Sequence, residues 1–180
     1  MANIFILDIE NTVIDDLANR NFMEDNCDHI KQFIHKEIDN VGIVTFFTWG
    51  WKTEDEIDDN LVTAMLDRLD IPKEKRPFSG NISVKEDSVN AAINVGWLFK
   101  EDRERALFPG MMGEVGISKI SCFFEQVLNN VTEKVLNDFK ASQVNPLHFW
   151  LIDDTVDKFD ELTWYGGRLV VSVINPKELV

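Results

Sequence analysis

Apolar residues fall along this chain in two alternating rhythms: short solid runs, and stripes that recur every three or four positions. The first run, Ile4 to Leu7, has no polar interruption, the pattern of a strand buried on both faces. From Asn19 to Asn40, Met23, Cys27, Ile30, Ile34 and Ile38 recur at helical spacing and predict a helix with one buried stripe. Val41 to Trp49, VGIVTFFTW, is rich in β-branched and aromatic residues and predicts a second buried strand. Thr53, with Glu56 three places on, forms a capping box. It opens a helix whose stripe is Ile57, Leu61, Met65 (or Ala64) and Leu69, stopped by Pro72.

The remainder repeats the alternation. NISVKED, residues 81–87, reads as a weaker third strand, followed by a helical pattern from Ser88 to Trp97. Lys100 to Gly116 mixes charges with Gly-flanked turns and reads as a loop or a small insertion. Ser118 to Phe139 is a long amphipathic helix through Phe124, Val127, Val131, Val135 and Phe139. PLHFWLIDD is a fourth buried strand and RLVVSVINP a last one. With no repeats and no evident linker, the chain reads as one domain over residues 1–180, with room for a small insertion over 73–116. Solid strands alternating with helices predict an α/β, Rossmann-like parallel sheet covered by helices on both faces.

In such sheets ligands lie beyond the carboxyl ends of the strands. After the first strand come Asp8, Glu10 and Thr12; the second holds Thr45 and Thr48; the fourth runs into Asp153 and Asp154, with Asp157 a turn later. Carboxylates from opposite ends of the sequence thus converge on one edge. They repel one another unless a cation sits between them, and carboxylate with water suits Mg²⁺.

Composition narrows the classes. A hydrophobic fraction of 44% with 11% aromatic residues is that of a globular domain rather than a disordered one. Lys plus Arg number 18 against 32 Asp plus Glu, a formal net charge of -14, which disfavours direct nucleic-acid binding. Cys27 and Cys122 lie far apart without a CxxC, so both are expected as reduced core residues and a zinc site is not expected. No apolar run approaches membrane-spanning length and MANIFILD lacks a basic leader, so the expected setting is the cytoplasm, without a membrane partner.

The constellation resembles the haloacid dehalogenase superfamily, whose members are mostly phosphatases. FILDIENT is similar to the family's first motif, an apolar strand followed by DxDxT, and GIVTFFT to its second, a strand ending in Ser or Thr. SKISCFFEQVL is similar to the lysine-led helix of the third motif, which selects Lys119, and LIDDTVD satisfies both forms of the fourth. The resemblance implies a phosphate monoester substrate, on a small molecule or a macromolecule end, and Mg²⁺ as cofactor. It implies Asp8 as nucleophile and Glu10 as general acid. It places the metal on Asp8, the backbone carbonyl of Glu10, and Asp153 with Asp154 or Asp157. Thr12, with Thr45 or Thr48, and Lys119 are the groups for substrate phosphate. The chain departs from the family at Glu10, where a second aspartate is usual. The extra methylene moves the carboxyl by roughly 1 Å, a misplacement that can cost on the order of a hundredfold in rate.

Two other readings compete. DIENT fits DxExT, the first motif of DnaQ-like 3′–5′ exonucleases, and His148 with Asp153 has the spacing of that class's last motif; Asp8 and Glu10 would then both ligate metal. Against it, the class's middle motif is not evident, and HFWLID reads as a buried strand where the exonuclease motif sits on a helix. The third reading is a catalytically degenerate module of the same fold. Blander roles stand beside each residue: Asp8 and Glu10 as turn caps, Lys119 as a solvated helix-start lysine, His148 as a satisfied core histidine, Asp157 as an exposed first-turn acid.

Overall fold

The computed structural model describes residues 2–46, 58–76, 147–164, 167 and 169–179. Among them a five-stranded sheet is built from β1 (Ala2–Leu7), β2 (Val41–Phe46), β3 (Leu147–Ile152), β4 (Asp160–Trp164) and β5 (Leu169–Ile174), in the order β2-β1-β3-β5-β4. β1 runs parallel to both β2 and β3, and β3 parallel to β5. The expected parallel sheet needs one correction. β4 is antiparallel to β5, an edge strand that turns back along its neighbour. Its Glu161 and Thr163 are exposed, so the solid apolar run that marks the inner strands is missing there.

The inner strands are mostly apolar because both of their faces are buried. On one face Phe5, Leu7, Val44, Phe46 and Ile152 join Cys27, Ile30 and Ile34 of α1 (Glu24–His35) and Leu61, Val62, Met65 and Leu66 of α2 (Asp59–Arg68) in a single core cluster. Both described α-helices therefore serve the same face. Phe33 of α1 meets Phe5 and Trp150 edge-on, with ring centroids 5.9 and 5.0 Å away. On the opposite face Ile4, Ile6, Phe149, Leu151, Val171 and Val173 are likewise buried. Each such side chain contributes roughly 1.5–3 kcal/mol relative to exposure, so the sheet is where stability concentrates.

Helix limits follow local polar chemistry. α1 begins at Glu24 rather than at Asn19 because the preceding residues form a hairpin. There Asp15 accepts from the backbone and side chain of Asn21 at 2.9 and 2.8 Å, Asp16 accepts from the amides of Ala18 and Asn19, and Arg20 adopts φ 60°. α2 is capped by Asp58, whose carboxylate accepts from Asn60 and Leu61 N–H at 3.0 and 3.2 Å. The helix stops before Pro72. Asp70 takes φ 51°, and the N–H groups of Asp70 and Ile71 turn back to Asp67 and Leu66, each at 3.0 Å. This left-handed C-terminal closure sets Ile71 against the core beside Leu66. The capping box at Thr53, the strand over 81–87, the helices over 88–97 and 118–139 and the insertion beyond Arg76 lie outside the described residues. No helix among the described residues is long and apolar enough to cross a membrane.

Candidate active site

β1 and β3 end level with each other. Leu7 pairs with Ile152, the Asp8 N–H donates to the Ile152 carbonyl at 2.9 Å, and the Asp153 N–H donates to the Ile174 carbonyl at 3.1 Å. Asp8 and Asp153 are thus the next residues in register on adjacent parallel strands. Strand alternation puts their side chains on the face of Ile6 and Leu151, opposite the core cluster. Carboxylate oxygens of Asp8, Asp153 and Asp154 lie within 4.8 Å of one another, and two of the three residues are almost wholly buried, Asp8 at 5% and Asp153 at 0% exposure.

Both loops that carry these acids are held tightly. After β1 the Ile9 carbonyl accepts from Val13 and Ile14 N–H at 2.9 and 3.1 Å, a single helical turn made possible by Asn11 at φ 57°. The turn swings Thr12 back under Asp8. The Thr12 hydroxyl lies 3.1 Å from Asp8 Oδ2 and 3.4 Å from Asp154 Oδ1, and it accepts from the Asp154 N–H at 3.2 Å. After β3 the N–H and hydroxyl of Thr155 both donate to Asp153 Oδ1, at 2.9 and 2.7 Å. The Asn175 side-chain amide spans the carbonyls of Asp154 and Val156, each at 3.0 Å. Thr155 and Asn175 were not among the candidates read from the sequence. Their signals were present: a threonine two places after a buried aspartate, and an Asn-Pro step closing the last strand.

Three carboxylates at this separation, two of them out of water, concentrate negative charge at the strand ends. Hard oxygen donors on a fixed frame could hold a divalent cation such as Mg²⁺, with water completing its shell. Thr45 adds a second polar feature to this face. It pairs with Ile6 in β1, is 0% exposed, and its hydroxyl has no hydrogen-bond partner among the described residues. Comparison of the chain with protein-family models, with curated proteins and with solved structures finds no match.

The structure therefore brings together Asp8, Asp153, Asp154 and Thr12, with Thr45 on the same face. Thr12 is wholly buried, and its hydroxyl lies against the Asp8 and Asp154 carboxylates. Glu10 and Asp157 stand outside the three-carboxylate group. The turn at Asn11 carries the Glu10 carboxylate to the Leu17 N–H, 3.3 Å away. Val156 takes the buried position in the turn after Asp153, which leaves Asp157 in solvent. Thr48, Lys119 and Cys122 lie outside the described residues. His148 sits near the amino end of β3, away from the acids. Its ring stacks on Trp150 with centroids 4.1 Å apart, and Nε2 meets the Ser172 hydroxyl at 2.7 Å.

Proposed function

We propose that the chain is a Mg²⁺-dependent phosphohydrolase that opens phosphate monoesters through an aspartyl-phosphate on Asp8. The observation that supports this reading above the rest is the grouping of Asp8, Asp153 and Asp154 at the carboxyl edge of adjacent parallel strands. A buried carboxylate on a rigid strand end is a positioned nucleophile. Its attack on phosphorus expels the alcohol and leaves an acyl phosphate that water then opens, two modest steps in place of one hard displacement. Bound at the three carboxylates, Mg²⁺ would screen the anionic nucleophile from the anionic substrate and offset transition-state charge.

The remaining roles belong to the chain itself. Asp153, fixed by Thr155, and Asp154 are the further metal ligands. The Thr45 hydroxyl, without a hydrogen-bond partner among the described residues, is a donor for a phosphoryl oxygen, a task that requires the site to open around this fully buried side chain. Glu10 is the proton donor to the leaving alcohol, a task that requires its carboxylate to leave the Leu17 amide. The resemblance to haloacid dehalogenase phosphatases agrees with this assignment.

The exonuclease reading has less support, because His148 and Asp153 bracket a strand and β1 continues into a parallel neighbour. One observation favours an inert module instead: the engagement of Glu10 by Leu17. The deciding assay is Mg²⁺-dependent hydrolysis of p-nitrophenyl phosphate by the wild type, Asp8→Asn and Glu10→Asp, with labelled single-stranded DNA in parallel. Turnover abolished in Asp8→Asn and kept in Glu10→Asp supports the phosphohydrolase. Nucleotide release from the DNA 3′ end overturns it in favour of the exonuclease. Wild-type silence with gain of activity in Glu10→Asp overturns it in favour of the module.

A further inference from the structure

Thr12 is sealed from solvent, yet it touches both segments that supply the carboxylates. A threonine hydroxyl has one proton and two lone pairs. The Asp154 N–H, 3.2 Å from Oγ1, uses one of those lone pairs. The single proton then goes to a carboxylate, and the two choices are Asp8 Oδ2 at 3.1 Å and Asp154 Oδ1 at 3.4 Å. The shorter contact, to the more deeply buried acid, is the stronger one. The result is a directed chain from the Asp154 N–H through the Thr12 hydroxyl to the Asp8 carboxylate, in which Thr12 and Asp154 are 142 residues apart in sequence.

We infer that Thr12 is a positioning residue: its hydroxyl sets the Asp8 carboxylate relative to the Asp153–Asp154 turn, so that one side chain aligns nucleophile and metal ligands together. The inference deepens the proposed function and rests on it. Thr155 does a similar service for Asp153, but within its own turn. Thr12 reaches across from one strand's loop to the next. The Ile9 carbonyl holds its backbone at 3.4 Å, so the hydroxyl belongs to a fixed frame rather than to a mobile tip.

The test compares the full chain with Thr12→Val, which keeps the branched shape and removes the hydroxyl, and with Thr12→Ser, which restores it. Two readouts are taken: Mg²⁺ binding by calorimetry, and kcat and KM on p-nitrophenyl phosphate. Thr12→Val is expected to lower kcat about a hundredfold, the cost of roughly 1 Å of misalignment. It is expected to weaken Mg²⁺ binding about tenfold, as loss of a group behind metal ligands does. KM should move less than kcat, and Thr12→Ser should recover most of both losses. A role in folding alone would lower the melting temperature and leave Mg²⁺ affinity and kcat of the folded protein unchanged, which overturns the inference. So does a rise in KM larger than the fall in kcat, which would make Thr12 a substrate ligand. If the valine variant does not fold, Thr12→Cys, a small side chain with a weak donor, decides by the same readouts. Wild-type silence in both readouts overturns the proposed function and the inference with it. An active wild type matched by Thr12→Val overturns the inference alone.

Discussion

Asp8 donates its backbone N–H to the Ile152 carbonyl at 2.9 Å, so the ladder between β1 and β3 runs one residue past the end of β1. That extra rung is what sets Asp8 beside Asp153. Side-chain flexibility cannot easily separate two carboxylates whose backbones are hydrogen-bonded into one sheet, so they stand ready-placed to share a cation.

Mg²⁺ should therefore stabilise the protein. At a hundredfold excess over its Kd the linkage is worth about 2.7 kcal/mol. For a chain of this size that raises Tm by roughly 5–10 °C. Asp153→Asn should abolish the Mg²⁺-induced shift, and scanning calorimetry with and without the ion checks it. An equal shift in both proteins would place the ion elsewhere.

Thr45→Val should separate stability from activity. A buried hydroxyl without a partner costs about 1–3 kcal/mol relative to a satisfied one, so replacing it with a methyl should raise the urea midpoint. If the hydroxyl serves substrate phosphate, the same change should cut kcat on the order of a hundredfold. A variant both less stable and fully active would contradict both parts.

The chain should lose stability on mild acidification through His148. Burial holds this imidazole below its ordinary value of 6.5, with Glu161 and Glu37 opposing in part. The folded state thus binds the proton less readily than the unfolded chain. The stabilising contribution is intact above about 6.5 and is lost as pH falls through the lower folded value. Urea unfolding at pH 7 and pH 5 should show a larger drop for the wild type than for His148→Gln. Parallel losses would assign the acid sensitivity to other groups.

Cys27 should report global unfolding. Burial pushes its thiol up to about 11, and Sγ lies 3.3 Å from the Val13 carbonyl inside the core. In a Cys122→Ser background, maleimide at neutral pH should label the native protein only at the rate of opening, and the denatured chain within minutes. Fast native labelling would mean that α1 opens locally.

The inner strands were legible in the sequence because burial on both faces demands unbroken apolar runs, as in Ile4 to Leu7 and Phe149 to Ile152. Asp8, Asp153 and Asp154 were legible for a related reason: charge that abruptly ends such a run has to sit at a strand's edge. Less visible were features set by hydrogen bonds between distant or irregular segments. β4 escaped because an edge strand with one solvated face carries too few apolar residues to stand out. The start of α1 was misplaced because the stripe through Met23 continues smoothly backwards, while Asp15 and Asp16 hold residues 16–21 in a hairpin. The same hairpin explains Glu10, whose engagement with Leu17 depends on a turn that periodicity does not encode. Thr12 was expected to meet substrate phosphate, and the contacts of its hydroxyl with Asp8 and Asp154 were not legible, since spacing identifies a motif and not the direction of a hydroxyl.

The strand order also governs the order of events on the ribosome. β1 finds β2 soon after both emerge, yet its other edge stays open until β3, more than a hundred residues later, has been made. At 5–20 residues per second that interval is roughly 5–20 s. For that time the nascent chain carries an apolar strand with one unpaired edge, a template for pairing with a neighbouring polypeptide. The geometry that brings Asp8 and Asp153 together late is thus a demand on protection during synthesis, and truncation before Leu147 should yield aggregate rather than a smaller soluble domain.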